Sequence, residues 1–296
     1  MLQVWSIAVA AGLFALVALN LAILLFAAYE YASSFRKEPW LTTTQVLLAG
    51  PGKAGPSIIL LHGFGGTPRD LRSLAELLAQ RGFRVVVPAI AEQTSVSFAY
   101  GRGRLSPVEY RDWLIGLIKD ETAIGGRPPM LVGMSMGGTL AAIGAASCDV
   151  SKLVLVSPYF GLAAADAWIT GSSRWLRWLL PVVPKVAKAQ INDPDGYKAY
   201  ETGSYLVSLR AFLQLDALAK AAKAKVPALS VPTLVLASQS DTVASFRATE
   251  RLFAGRPQVR LVPYNRGNHI LTYDYDRDPV TANIVAFLTG EPPPDA

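Results

Sequence analysis

Met130-Leu-Val-Gly-Met-Ser-Met-Gly-Gly-Thr139 passes from an apolar run, through a serine flanked by glycines, into a stretch of small residues that continues to Ala146. The order reads as strand, tight turn, helix. Its centre, Gly133-Met134-Ser135-Met136-Gly137, has the G-x-S-x-G spacing of a nucleophile elbow, a motif that demands this strand-to-helix context. The glycines are required because the serine sits at a strained turn, where a Cβ on its neighbours would clash. Such a turn lifts the Ser135 hydroxyl clear of a sheet. It also aims the Met136 N–H and the following helix N-terminus at an oxyanion developing beside that hydroxyl. An idle serine in a glycine-rich turn would share the composition, but would not need the strand before it and the helix after it.

Outward from the elbow, apolar runs bounded by Gly and Pro recur at Ser57–Leu61, Arg84–Val87, Lys152–Ser157, Thr233–Ser238 and Val259–Val262, with a further one at Thr43–Ala49. Helical patterns separate them. One is fully signalled: Thr67 as cap, Pro68 at the first position, a stripe of Leu71, Leu74, Leu77 and Leu78, and Gly82 as stop. This alternation predicts an α/β domain with a mostly parallel sheet covered on both faces.

The first of these strands ends in Leu60-Leu61-His62-Gly63-Phe64-Gly65-Gly66, a turn whose backbone can approach a reacting carbonyl closely. The Phe64 N–H is therefore the expected second oxyanion donor. A dinucleotide-binding G-x-G-x-x-G fails here because Pro68 holds the sixth position, and Gly101-x-Gly103 fails likewise at Ser106. The chain has two histidines. His62, beside the donor, reads as a structural residue of the loop. His269, in Gly267-Asn268-His269 after the last strand, is the candidate general base. A serine nucleophile needs such an imidazole, and a carboxylate to fix its tautomer. Asp241, just after strand Thr233–Ser238 and 28 residues before His269, is the best-placed carboxylate. Asp274 and Asp276, on the histidine's own segment, compete with it.

Between Phe160 and Ser230 the rhythm breaks for about 70 residues, too long for a plain loop. Arg174-Trp-Leu-Arg-Trp-Leu-Leu180 places Trp175 and Trp178 on one helical face, and a second helical stretch runs near Tyr205–Ala222. The whole of 161–229 reads as an inserted helical cap. Trp168, Trp175 and Trp178 are its candidate acyl-pocket residues, although aromatics of this kind also serve as a cap's own core. Arg174 and Arg177 beside two Trp would suit an interfacial helix.

From Met1 to Tyr29 there is no charged side chain, and Leu2–Ala28 is dense in Leu, Ala, Val, Ile and Phe. The run exceeds the ~20 apolar residues a spanning helix requires. Trp5 and Tyr29 lie about 36 Å apart along such a helix, as interfacial aromatics do. A cleaved signal peptide is a poorer match, for want of a leading Lys or Arg and because the run is too long. A core helix would rarely stay apolar all round. Residues 1–31 are thus expected to form a single-pass anchor and 32–42 a connector. Arg36 and Lys37 follow the span with no Lys or Arg before it, which points to a cytoplasmic catalytic domain.

The 296 residues, 51% hydrophobic and 17% charged, exclude disorder. A single cysteine, Cys148, excludes a disulfide framework and a Cys-rich zinc module. The net charge of +6 is scattered, without the basic stripe that nucleic-acid binding needs. No metal or organic cofactor is called for.

Three motifs together, Leu61-His62-Gly63-Phe64-Gly65-Gly66, Gly133-Met134-Ser135-Met136-Gly137-Gly138 and Gly267-Asn268-His269-Ile270 with its acidic tail through Asp278, carry a family resemblance. From about Thr43 to Leu288 the chain resembles the α/β-hydrolase fold family. It is most similar to bacterial carboxylesterases and monoacylglycerol lipases and their serine aminopeptidase-like relatives. The resemblance implies a core of 43–160 and 230–290, with nucleophile, acid and base on Ser135, Asp241 and His269 in that chain order. It puts the oxyanion donors on the Phe64 and Met136 backbone. Where many relatives carry Gly-His-Gly after the third strand this chain has Ala91-Glu92-Gln93, and the N-terminal span lies outside the core family pattern. The expected activity is that of a membrane-anchored serine hydrolase of carboxylic esters with lipid or other apolar acyl groups. The alternatives are a non-catalytic binding module on this fold, or a thioesterase, amidase or acyltransferase using the same triad.

Overall fold

The computed structural model describes residues 2–35, 40, 43–48, 55–90, 105–163, 182–184, 190–200 and 206–292. Helix α1 (Leu2–Phe35) comes first. Strands β1 (Gln45–Leu47) and β2 (Ser57–Leu61) follow, then a 3-10 turn at Pro68–Leu71, α2 (Arg72–Gln80), β3 (Arg84–Val87) and α3 (Pro107–Gly125). Strand β4 (Met130–Met134) runs into α4 (Met136–Ala145), followed by β5 (Leu153–Val156). A two-stranded ribbon, β6 (Val182–Pro184) with β7 (Leu206–Ser208), brackets α5 (Pro194–Ala199). The chain then continues through α6 (Leu209–Lys225), β8 (Thr233–Ser238), α7 (Phe246–Phe253), β9 (Val259–Tyr264) and α8 (Arg277–Thr289).

Seven strands form one sheet in the order β1-β3-β2-β4-β5-β8-β9. Only β1 is antiparallel to its neighbour, with Gln45 opposite Val87; every other pair is parallel. Because residues alternate faces along a strand, each inner strand serves two cores. Ile59 and Leu61 of β2 join Leu131, Leu155 and Val235 on the face covered by α3, α4 and α6. Ile58 and Leu60 join Val132, Val156 and Leu236 on the face covered by α2 and α8. Burial on both sides explains why these strands read as continuous apolar runs without a polar alternation.

The helix signalled by Thr67 and Pro68 begins as the 3-10 turn and becomes α-helical at Arg72. Asp70 accepts the Thr67 N–H at 3.1 Å, and Leu71, Leu74 and Leu78 are buried. Gly82 stops it with φ +91°.

The expected cap at 161–229 is corrected at its C-terminal end. Helix α6 is a layer of the core: Leu215, Leu218, Ala219 and Ala222 are buried in the same cluster as Leu140 and Ala141 of α4. Burial of that stripe against α4, rather than over the sheet edge, removes 209–229 from the insert. Trp168, Trp175 and Trp178 lie outside the described residues, as do Ala91-Glu92-Gln93.

Among the described residues no helix is long and apolar enough to cross a membrane. Leu13, Phe14, Val17 and Leu21 of α1 are exposed.

The elbow is where the packing is tightest. A Cβ on Gly133 would lie 2.2 Å from the Gly137 carbonyl oxygen, and one on Gly137 would lie 2.1 Å from that of Leu61. Gly137→Ala is therefore expected to lose at least ~2 kcal/mol, the scale of an overpacked core. Gly116 in α3 has open space where its Cβ would be, so Gly116→Ala should gain about 0.5–1 kcal/mol through reduced chain entropy. Urea unfolding of the two variants checks the opposite signs.

Candidate active site

Ser135 sits between the end of β4 and the first turn of α4 with φ 54° and ψ −117°, a backbone conformation that costs a non-glycine residue about 1–3 kcal/mol. Hydrogen bonds on both sides hold it there. Its N–H donates to the Val156 carbonyl at 2.9 Å, and its carbonyl accepts the N–H groups of Thr139 and Tyr159, each at 3.1 Å. Thr139 closes the turn by donating its hydroxyl to the Tyr159 carbonyl at 2.5 Å.

His269 Nε2 lies 2.8 Å from Ser135 Oγ, and His269 Nδ1 lies 2.8 Å from Asp241 Oδ2. The imidazole and the carboxylate are each 3% exposed. The other oxygen of Asp241 accepts the N–H groups of Val243 and Ala244 at 2.8 Å each, which fixes the carboxylate from behind. A hydroxyl, an imidazole and a carboxylate in line, with Nδ1–H held by the acid, leave Nε2 free to take the hydroxyl proton. The three residues chosen from the sequence thus meet, although they come from three different strand ends.

The two competing carboxylates do something else. Asp274, fully buried, accepts four backbone N–H groups: Asn192 at 2.8 Å, Asp193 at 2.9 Å, Asn268 at 2.7 Å and Tyr275 at 2.8 Å. Asp276 accepts those of Gly267 at 2.7 Å and Arg266 at 3.2 Å. Both are braces for the loop that carries His269. Asn268 adds a tie to the acid side by accepting the Thr242 N–H at 2.9 Å. On the other side of the histidine, the Ile270 N–H donates to the Gln190 carbonyl at 3.1 Å. The return arm of the insert, Gln190–Asp193, is therefore hydrogen-bonded to both neighbours of His269, directly at Ile270 and through Asp274 at Asn268. This bracing was hidden in the sequence. The one local signal was two aspartates closely following His269 in an otherwise apolar and aromatic stretch.

The loop after β2 lies against the nucleophile: a Cβ on Gly63 would lie 3.4 Å from that of Ser135. Phe64 is the next residue, half-buried beside the core, and Met136 is the first residue of α4, whose N–H has no partner within the helix. His62 is fully buried and structural. Its Nε2 accepts the Ile90 N–H at 3.1 Å while Nδ1–H donates to the Gly63 carbonyl at 3.0 Å. Burial lowers its pKa to about 4, so the ring is neutral with its proton on Nδ1. Among the described residues no group of three or more His, Cys, Asp or Glu is arranged to hold a metal ion.

Residues 58–282 match the model of the alpha/beta hydrolase family. A thermostable monoacylglycerol lipase of Bacillus sp. (strain H-257) is 26% identical over 260 residues, spanning 84% of this chain and 96% of its own. Among solved structures, the monoacylglycerol lipase of Paleococcus ferrophilus superposes with a TM-score of 0.69 at 18% identity, covering 83% of this chain and 98% of that one. A soluble variant of the Saccharomyces cerevisiae monoglyceride lipase superposes with a TM-score of 0.70 at 15% identity, over 83% and 91%.

Asp274→Asn would turn two of the four N–H groups toward an amide NH2 and loosen the His269 loop. Misplacement of a reacting group by about 1 Å costs up to ~100-fold, so kcat should fall about 10- to 100-fold with KM little changed. Active-site titration with a fluorophosphonate separates the two causes: a purely structural loss would lower the labelled fraction and leave kcat per labelled site unchanged. For His62 the unfolded chain takes up its proton near 6.5 and the folded chain only near 4. Between those values the unfolded state binds more protons, so stability is full above 6.5 and falls by roughly 3 kcal/mol as pH drops to 4. Urea midpoints measured across that window should fall less steeply in His62→Gln.

Proposed function

The chain belongs to the alpha/beta hydrolase family, and on that premise we propose that it is a membrane-anchored serine esterase acting on lipid or other apolar acyl esters through an acyl-enzyme on Ser135. It is a hydrolase of the serine ester-hydrolase type. The observation that carries the reading is the buried chain of 2.8 Å contacts from Ser135 Oγ to His269 Nε2 and from His269 Nδ1 to Asp241. The similarity to a monoacylglycerol lipase along almost its whole length supports an ester substrate.

In the proposed reaction Ser135 Oγ attacks the ester carbonyl carbon while its proton passes to His269 Nε2, and Asp241 holds the imidazolium. The negative charge moves to the carbonyl oxygen, received by the Phe64 and Met136 N–H groups. The tetrahedral centre collapses, the C–O bond to the alcohol breaks, and His269 returns its proton to the leaving oxygen. Water then attacks the Ser135 ester with the same base, releasing the acid and restoring the hydroxyl. No metal or organic cofactor takes part in this sequence. Trp168, Trp175 and Trp178, in the segment between β5 and β6, are the residues proposed to meet the acyl group.

The anchoring reading is supported by the charge-free run from Met1 to Tyr29 and by the exposed Leu13, Phe14 and Val17 side chains of α1. Arg36 and Lys37 after the span set the catalytic domain on the cytoplasmic side.

Hydrolysis of p-nitrophenyl esters from acetyl to palmitoyl, with Ser135→Ala alongside, tests the chemistry. The variant should lose at least ~10³-fold in kcat, since what survives loss of a triad member is binding and oxyanion stabilisation. It should keep its urea midpoint and resist a fluorophosphonate that labels the wild type. Full activity in Ser135→Ala would overturn the assignment.

A further inference from the structure

We infer that the active-site mouth faces the bilayer from which the chain is tethered, and that the substrate is a long-chain acyl ester resident in that same leaflet. The inference rests on the anchored-esterase reading above and adds the route by which the substrate arrives.

In the parallel part of the sheet the reactive residues all follow strand ends: the Gly63–Phe64 loop after β2, Ser135 after β4 and Asp241 after β8. That edge is the catalytic edge. Strand β1 is antiparallel to β3, with Gln45 opposite Val87 and Leu47 opposite Val85. It therefore begins where β3 ends, and the chain enters the domain at the catalytic edge. A hydrogen bond from the Ala89 N–H, beyond the end of β3, to Thr44 Oγ1 at 3.2 Å pins the entry there. With β1 three positions from β4 in the sheet, adjacent strands ~4.8 Å apart put the entry about 14 Å to the side of the nucleophile.

A second contact fixes the chain further upstream. Trp40 packs against the core cluster on the α2 face of the sheet, with the Arg72 guanidinium carbon 5.4 Å from its ring centroid. Arg72 opens α2, directly after the 3-10 turn that follows the Gly63–Phe64 loop. Trp40 is thus docked at the rim of the catalytic edge. Five residue steps separate it from Phe35, the end of α1, and they can reach at most ~18 Å. A tether this short, fixed to the rim, holds that edge close to the membrane surface. Attachment at the opposite edge would have placed the length of the sheet between the membrane and Ser135.

The return arm of the insert lies at the same rim. Tyr200 hydrogen-bonds Asp70 of the 3-10 turn and packs edge-to-face on Tyr273, ring centroids 5.2 Å apart. The described part of the insert thus meets the 3-10 turn that precedes α2 and the segment that follows His269. A leaflet lipid meets this rim by lateral diffusion, with its ester group at the interface and its chain already out of water. A water-soluble ester gains nothing from the orientation.

The test uses the full chain in ether-linked phosphocholine vesicles doped with 1-oleoylglycerol, with released oleate measured, and p-nitrophenyl butyrate as the soluble control. A 20-residue Gly/Ser segment inserted between Phe35 and Arg36 adds a coil with an r.m.s. span of about 25 Å. Trp40→Ala undocks the tether without lengthening it. The insertion should lower oleate release at least fivefold, and Trp40→Ala should lower it in the same direction, with butyrate turnover unchanged in both. Undiminished oleate release by the insertion variant would overturn the inference. Wild-type protein that carbonate washes from the vesicles would fail the anchor on which the inference rests. Absence of butyrate turnover in the wild type would instead fail the esterase reading.

Discussion

The site depends on one close approach. The β4–α4 turn lies so near the end of β2 that the backbone at Gly137 has no room for a methyl group beside the Leu61 carbonyl, nor Gly133 beside that of Gly137. Two missing side chains let the nucleophile loop and the Gly63–Phe64 loop touch, and Ser135 takes up the resulting bend in its own strained dihedrals. The strain is tolerated because the turn is over-determined by hydrogen bonds from β5 and Thr139 and because everything around it is buried. The serine thus has one place to be, and the imidazole needs only to be brought to it.

Bringing the imidazole is the work of buried carboxylates. Asp241 holds the ring, while Asp274 and Asp276 hold the loop, and the bonds of these last two go to backbone N–H groups. A buried carboxylate is stable when its lone pairs are satisfied by such donors, and a loop with few backbone partners of its own gains order from it. One chemical group therefore has two uses within a few residues. Asp241 holds the imidazole of His269, and Asp274 fixes the loop that carries it.

The sheet was legible because its strands are buried on both faces, which leaves a continuous apolar signature bounded by Gly and Pro. All seven expected runs became strands of one sheet, with ends displaced by at most a few residues. That Ser135, Asp241 and His269 lie together was legible for a different reason: two histidines in the whole chain leave few arrangements once Ser135 is placed. Asp241 was favoured over Asp274 and Asp276 as the acid, but that these last two hold the loop through backbone N–H groups was not legible, because bonds to the backbone leave no residue-type pattern. The length of the gap between β5 and β8 drew α6 into the insert. Its stripe of Leu215, Leu218, Ala219 and Ala222 is amphipathic in the manner of a core layer, and gap length obscured that signal. The apolar character of the N-terminal run was plain, whereas its environment is a property of the surroundings and not of the helix.

The hydrogen bonds from Gln190–Asp193 to the two flanks of His269 have a consequence for how such a chain can be rebuilt. An insert of this kind looks exchangeable, a module spliced between two strands and free to vary with the substrate. Here one segment of it, Gln190–Asp193, is bonded to both flanks of His269. A graft that takes the whole insert from a relative would import foreign partners for Asp274 and Ile270, and would alter the rate through the histidine even if the new pocket fitted the acyl chain. A graft whose downstream junction falls before Gln190 would change selectivity and leave the histidine where it is. The boundary between specificity and chemistry in this fold therefore lies inside the insert and not at its edge.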